Sequence, residues 1–358
     1  MGCDVKFWIG FSLIPGIGPR RLLELANYFG DIERAWNASL SDLKAAGLDL
    51  NLAQTVVSVR ERISLDQERE RLAKINARAV IYCDGEYPPR LREIYDFPPL
   101  LYVRGDSIAS DESSLTVVGS RLPSSYGRQV VREIVRELSA SGVTVVSGLA
   151  RGIDAEAHRA ALEGGGRTLA VLGSGVDVIY PGENSGLADK IMHQGTLISE
   201  FPLGTTPKPY HFPRRNRIMS GISLGTLVVE AGERSGSLIT ADFALEQGRE
   251  VFAVPGSIFS PKSRGSNRLI QEGAKLVAKA TDILEELNLR AVARKESKVL
   301  PENSVEEILL PHLSKEAVHI DGLCRLSGLS ITQVESTLAM MEIKGIVERT
   351  DGMSYILR

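Results

Sequence analysis

The sequence predicts an α/β fold: a parallel sheet covered by helices on both faces, with a small all-helical domain before it and a helix-and-hairpin domain after it. Three observations predict this. Between residues 105 and 287 short apolar runs alternate with helical stretches. Over residues 1–80 the apolar positions recur at helical spacing alone. Beyond a polar, charged linker at 288–303, short helical segments run into a hairpin pattern that ends the sequence.

Length and composition bound the rest. A chain of 358 residues is too long for one ordinary domain, and 43% hydrophobic with 24% charged residues describes a globular protein with ample core. No apolar run is long enough to cross a bilayer, and no charged-then-apolar signal segment opens the chain, so no membrane role is expected. Cys3, Cys83 and Cys324 are far apart and odd in number, which offers neither a disulfide framework nor a metal spacing and fits a reducing cytoplasm. The 5 histidines are scattered, so no metal or other cofactor is expected. With 42 Lys+Arg against 45 Asp+Glu the net charge is −3, so general stickiness for nucleic acid is not expected either.

Taken in order, Trp8–Leu13, Leu22–Tyr28 and Leu52–Val59 read as helices of the first domain, 1–80. Its informative piece is Ile14-Pro-Gly-Ile-Gly-Pro-Arg-Arg, where Gly16 and Gly18 make a tight turn before a helix with free N–H groups. This resembles the turn of helix-hairpin-helix modules (a SAM-like arrangement), which grip nucleic-acid backbones or serve only as packing units. The charges of residues 60–80 read as a solvated helix face. Residues 81–104, with two Pro-Pro pairs, read as a connector without a regular element.

In the core, 105–287, strands are expected at Leu115–Val118, Val143–Val146, Leu169–Leu172, Thr196–Ser199, Thr226–Val229 and Val251–Val254. Helices are expected at Tyr126–Ala140, Ala155–Glu163 and Leu238–Gln247. Ligands of such sheets sit beyond the carboxyl ends of the strands. There the small and polar residues gather: Gly119-Ser120-Arg121, then Gly148 and Arg151, then Gly173-Ser174-Gly175, then Ser235-Gly236-Ser237. Glycine lets a ligand approach the backbone, helix N-termini offer donors to an anion, and Arg121 and Arg151 add full charges. These loops predict an anion-lined cleft.

The most concentrated signal is Pro207–Gly221, PKPYHFPRRNRIMSG, which holds Lys208, Arg214, Arg215 and Arg217 with no acidic residue. Tyr210, His211 and Phe212 interleave with the cations. Cations pair with phosphates, and aromatic faces stack on unpaired bases whatever the base. The three prolines predict an extended loop that enters a helix near Arg214. A bare basic run is often only a solvated loop; here it stands out against a mildly acidic chain.

Several enzyme signatures are missing. The first strand-end loop, GSRLPSSYG, has no GxGxxG pattern, and no Walker A lysine occurs. Asp154 and His158, four apart, read as a helix cap and a packed histidine rather than a catalytic or metal pair. Glu230, at a strand end, is a candidate general base without an evident second carboxylate.

The last domain, 304–358, has a helix at Leu338–Ile343 ended by Gly345, then Ile346–Arg349 paired with Ser354–Leu357 across Asp351-Gly352. Helices followed by such a wing predict a winged-helix-like module. From Pro301 on it carries 5 Lys/Arg against 9 Asp/Glu, which favours a protein-interaction or regulatory role over duplex binding.

Taken together, GSR at 119–121, SGLARGID at 147–154, SEFPLGTTP at 199–207, HFPRRNRIMSG at 211–221, VVEAGERSGSLITADFALEQGREVFAVPG at 228–256 and SRGSNRLIQEGAKLV at 263–277 closely resemble the DprA/Smf family of bacterial DNA-processing proteins. The resemblance implies an extended Rossmann-type core that binds single-stranded DNA and forms homodimers. It further implies a non-enzymatic recombination mediator, which protects incoming DNA and helps load a RecA-type recombinase during natural transformation. Carried over by position, Arg121 and the segment through Arg217 line the DNA pocket. The full set of expected contacts is Gly119, Ser120, Arg121, Gly148, Arg151, Lys208, His211, Phe212, Arg214, Arg215, Asn216, Arg217, Ser235, Gly236 and Ser237. Family members often place a lysine directly before the aromatic-His-Phe-Pro run, where this chain has Pro209 with Lys208 one position earlier. The family pairs through the late part of the core, and a helix is expected there with Leu269 or Ile270 pointing away from the sheet into a dimer interface. The rival readings are a nucleoside-monophosphate-cleaving enzyme of the same fold type and a duplex-binding regulator acting through the last domain. Against the first, GTLVVEAGERSGSL offers a glutamate but not the PGGxGT loop of such enzymes.

Overall fold

The computed structural model describes residues 4–108, 111, 113–289, 303–314, 317–350 and 352–357. Cys3, Asp351 and most of the expected 288–303 linker therefore lie outside the described residues. The chain divides into two units, Met1–Val292 and Ala293–Arg358.

The first unit opens with six helices, α1 (Val5–Ser12), α2 (Pro19–Phe29), α3 (Ile32–Asn37), α4 (Leu40–Ala45), α5 (Leu50–Arg60) and α6 (Leu65–Lys74). Their cluster of Trp8, Phe11, Leu25, Trp36 and Leu43 is continuous with Ile81 and Tyr102 of the neighbouring sheet, so this helical region is packed onto the core. Pro19 occupies the first turn of α2, where no intrahelical N–H bond is lost, and Gly18 caps the helix without a side-chain bond. In α6 only Leu72 is buried, in line with the solvated face expected there.

Next come β1 (Ala77–Ile81), β2 (Leu100–Gly105), β3 (Ser114–Val118), α7 (Ser125–Ala140), β4 (Thr144–Ser147), α8 (Ile153–Glu163), β5 (Thr168–Val171), α9 (Ser185–Gln194), β6 (Gly195–Ser199), α10 (His211–Ile222), β7 (Gly225–Val228), α11 (Gly236–Glu246), β8 (Glu250–Ala253), α12 (Arg264–Gln271), β9 (Lys275–Leu276) and α13 (Ala280–Glu286). Among the described residues they build a nine-stranded sheet in the order β1-β2-β6-β5-β4-β3-β7-β8-β9. From β6 to β9 the pairs are parallel, whereas β1–β2 and β2–β6 are antiparallel.

The parallel strands from β6 to β7 are buried throughout because both faces are covered. Val146, Leu169, Val228 and Val251 point to α10, α11 and α12. Their chain neighbours Val145, Leu227 and Phe252 point to α7, α8 and α13, as the period of two requires.

Three features differ from the sequence expectation. Residues 81–104 contain β2 and a 3-10 turn at Pro89–Arg92, so the expected connector instead extends the sheet. The Pro-Pro pair at 88–89 opens the 3-10 turn and the pair at 98–99 immediately precedes β2, so neither removes a ladder bond. Helix α10 begins at His211 rather than near Arg214, because Pro213 sits at its third position, where the N–H has no intrahelical acceptor. Leu269 is only 4% exposed and belongs to the core, while Ile270 packs partly buried against the same cluster. Leu269 is thus unavailable as a surface dimer residue.

The second unit consists of α14 (Ser304–Leu309), β10 (Val318–His319), α15 (Ile320–Ser327), α16 (Ile331–Ile343), β11 (Val347–Thr350) and β12 (Ser354–Leu357). Its sheet has the order β10-β12-β11, with β11 and β12 paired antiparallel as the wing. Leu309, Leu323, Val334, Leu338, Met341 and Tyr355 make its core. The expected winged-helix-like module is present, and α16 is longer than expected because Ser330 and Gln333 form a capping box upstream.

Candidate nucleic-acid interface

Strand β3 lies between β4 and β7, so the chain leaves it by α7 in one direction and returns by α10 on its other side. The strand order reverses there, which opens a crevice beyond the carboxyl ends of the strands. A cleft of ≈ 610 Å³ occupies that place. Gly119, Arg121, Phe212, Arg215, Asn216, Ser235, Gly236 and Ser237 of the expected set line it, together with Asp154 and Tyr180.

The loop carrying Arg121 is held from both sides. Ser120 donates its N–H to the Glu230 carbonyl at 2.7 Å, and its own carbonyl accepts from Ile153 N at 3.1 Å. Gly152, at φ +75°, passes so close to this loop that a Cβ would overlap the Ser120 and Arg121 carbonyls. Only glycine meets both conditions. Ser120 accordingly positions the loop rather than lining the cleft. Arg121 is exposed, and among the described residues its guanidinium has no ion pair; it lies over the Phe212 ring, 5.8 Å from the centroid.

Phe212 is half-buried, tilted against Tyr180 with 5.8 Å between ring centroids. Gly173 lies behind it, where a Cβ would come to 3.1 Å from Phe212 Cδ1. The arrangement is a stacking platform: two aromatic rings beside an unpaired cation. Tyr180 is absent from the expected set, although its place in the loop after the third predicted strand was a usable signal. Opposite it, α11 directs its N-terminus at the cleft, with Ser235 as cap accepting from Ser237 N.

Arg215 forms the floor and is only 3% exposed. Its Nη1 donates to the Gly148 carbonyl at 2.7 Å and to the Val171 carbonyl, and Nε donates to Asn216 Oδ1 at 3.2 Å. Gly148 is required because any Cβ would overlap the guanidinium. Burial pulls the Arg215 pKa down to about 10, opposed by the Asp154 carboxylate, so the group stays cationic at neutral pH. Burial in turn raises the Asp154 pKa, with Arg215 acting to lower it. Asp154 also accepts from Ala150 N at 3.4 Å, and His158 instead bonds Thr168 Oγ1 at 2.7 Å. The two residues form no catalytic pair.

The structure places the remaining expected contacts outside the cleft lining. Arg217, only 3% exposed, is held by Glu200 at 2.6 Å and Asp96 at 3.2 Å, so it is a structural ion-pair residue. Arg214 shares the same Glu200 carboxylate at 3.0 Å but keeps its side chain half in solvent. His211 is buried and stacked on Phe201 at 4.1 Å, donating from Nδ1 to the Gly173 carbonyl at 3.1 Å. Burial lowers its pKa, so it offers no cation to a phosphate at neutral pH. Arg151 makes a two-pronged exposed pair with Glu183 at 2.8 Å. Lys208 is exposed, 5.9 Å from the Tyr210 ring centroid, beside the cleft-lining Pro209. Glu230 is buried, and its carboxylate accepts from the Ser124 N–H and hydroxyl at the start of α7. It is a helix brace, and the general-base reading loses its candidate.

The profile of the family described as "DNA recombination-mediator protein A" matches residues 78–288, and that of the "DprA winged helix domain" matches 293–353. The chain belongs to the DNA recombination-mediator protein A family. The family resemblance seen in the sequence is thereby confirmed. Protein Smf of Escherichia coli is 40% identical, over 94% of this chain and 95% of that one. The X-ray structure of DNA processing protein A from Streptococcus pneumoniae is similar with a TM-score of 0.70 at 38% identity, over 78% of this chain and 97% of that one. A solved structure of DNA processing protein A from Helicobacter pylori, described for its single-stranded DNA binding mode, has a TM-score of 0.55 at 25% identity, over 60% of this chain and 98% of that one.

Proposed function

We propose that this family member binds single-stranded DNA in the cleft beyond β3, without sequence preference and without catalysis, and mediates recombination of incoming DNA during natural transformation. The carrying observation is the unpaired Arg121 over Phe212, with Tyr180 beside it. A phosphate pairs with the cation while a base stacks on the rings, and a duplex does not offer an unstacked base. The single-stranded DNA binding described for the Helicobacter pylori relative supports the same reading. Loading of a RecA-type recombinase is proposed as the output of that binding, on the family's recombination-mediator character.

A homodimer is proposed as the working form. With Leu269 buried, the support rests on the partly exposed Ile270 and on the sheet edge β9, where Lys275 and Leu276 are both exposed. The rival reading, nucleoside-monophosphate cleavage, is disfavoured by Glu230, whose carboxylate is committed to Ser124. The test is a gel-shift series with single-stranded and duplex oligonucleotides, run beside a nucleotide-cleavage assay. Preferential binding of single strands with no cleavage supports the proposal; duplex preference or turnover overturns it.

A further inference from the structure

The outward face of α16, the helix a winged-helix module would lay in a DNA groove, is built for a different ligand. Between Ile331 and Ile343 it carries no Lys, Arg or His. Gln333, its single amide, is tied to the helix's own cap, accepting from Ser330 N at 3.2 Å and Ser330 Oγ at 2.8 Å. Base edges are read by arginines and by amides that use oxygen and nitrogen together, and phosphates are held by cations; with the Gln333 oxygen occupied, this face offers neither.

What it does offer follows from the helical period. Val334, Leu338 and Met341 point into the unit's core. Ser336, Ala339, Met340 and Ile343 therefore run along the opposite side, where Met340 is 53% and Ile343 80% exposed. Glu335 and Glu342, two turns apart, share one flank of that strip, and among the described residues neither has an ion-pair partner. By contrast, Glu306 is neutralised inside the unit by Lys344 at 2.8 Å. The free acids thus stand beside the apolar strip, and that combination selects an occupant of complementary charge.

We propose that this face docks a basic amphipathic helix of a protein partner. The partner's apolar residues lie on Ala339, Met340 and Ile343, and basic residues two turns apart on one flank meet Glu335 and Glu342. The proposal concerns the second unit and stands independently of DNA binding in the cleft.

The test uses the full chain and three fluorescent probes: a synthetic helical peptide with a leucine stripe and two flanking arginines two turns apart, its twin with glutamates in place of the arginines, and a duplex oligonucleotide. The unaltered chain is expected to bind the arginine peptide saturably and the glutamate twin far less. Ile343→Ser weakens the arginine peptide about tenfold. The double variant Glu335→Lys, Glu342→Lys loses the arginine peptide and gains the glutamate twin, a reversal that misfolding does not produce. Absence of saturable binding by the unaltered chain, equal binding of both peptides, or duplex binding that disappears with Ile343→Ser overturns the proposal.

Discussion

Replacing Arg215 with Met separates a structural cation from a DNA contact. The side chain is buried and bonded to the Gly148 and Val171 carbonyls, and it faces the buried Asp154. Methionine fills similar space but leaves both carbonyls without their donor and the buried Asp154 without its nearby positive charge. Breaking a buried charge arrangement in this way costs about 3–5 kcal/mol. In a unit spanning Met1–Val292 that corresponds to a melting temperature lower by roughly 5–8 °C. The pH dependence has a definite sign. Burial raises the Asp154 pKa in the folded chain, and loss of Arg215 removes a charge that lowers it. Ionised Asp154 therefore opposes folding most above its raised pKa, and at pH below its unfolded value it is neutral in both states. The variant's deficit should be full at neutral pH and shrink as the pH falls through the raised pKa. Scanning calorimetry over a pH series, beside oligonucleotide binding, is the assay. A variant that keeps its melting temperature and loses DNA binding would refute the reasoning and make Arg215 a direct phosphate contact.

Three further outcomes are expected. Phe212→Ala and Tyr180→Ala should each weaken single-stranded DNA binding by about 1–3 kcal/mol with little change in salt dependence; because both rings are partly in solvent, melting temperature should barely move. Gly148→Ala drives a methyl into the Arg215 guanidinium and should mimic the Arg215 defect in calorimetry, whereas a neutral result would show that the floor is loosely packed. Glu200→Gln removes the buried carboxylate that Arg214 and Arg217 share and leaves Arg217 only the Asp96 carboxylate, so stability should fall by about 1–3 kcal/mol, read by denaturant titration.

The parallel strands were legible because strands covered on both faces must be unbroken apolar runs, and the loops after them because a ligand cleft needs small residues. The strands β1 and β2 were not, since Ala77–Ile81 mixes Arg with apolar residues and a Pro-Pro pair immediately precedes Leu100–Gly105. The basic run was legible as a run, but not which of its cations is free. Arg214 and Arg217 meet Glu200 across 14 and 17 residues of chain, a pairing that only the packed fold establishes. The same holds for Arg215, whose carbonyl acceptors lie 44 and 67 residues away. Arg121 was read from its place, because Gly119-Ser120-Arg121 follows β3, and from the family resemblance.

The central claim rests on Arg121, and a salt series tests it most directly. Anisotropy titration of a labelled single-stranded oligonucleotide should give a straight line of log affinity against log salt for the unaltered chain. Arg121→Ala should lower the affinity and flatten the slope by about 0.7, the signature of one lost phosphate contact, with an unchanged melting temperature. An Arg121→Ala line that superimposes on that of the unaltered chain would contradict the assignment of this cleft to DNA.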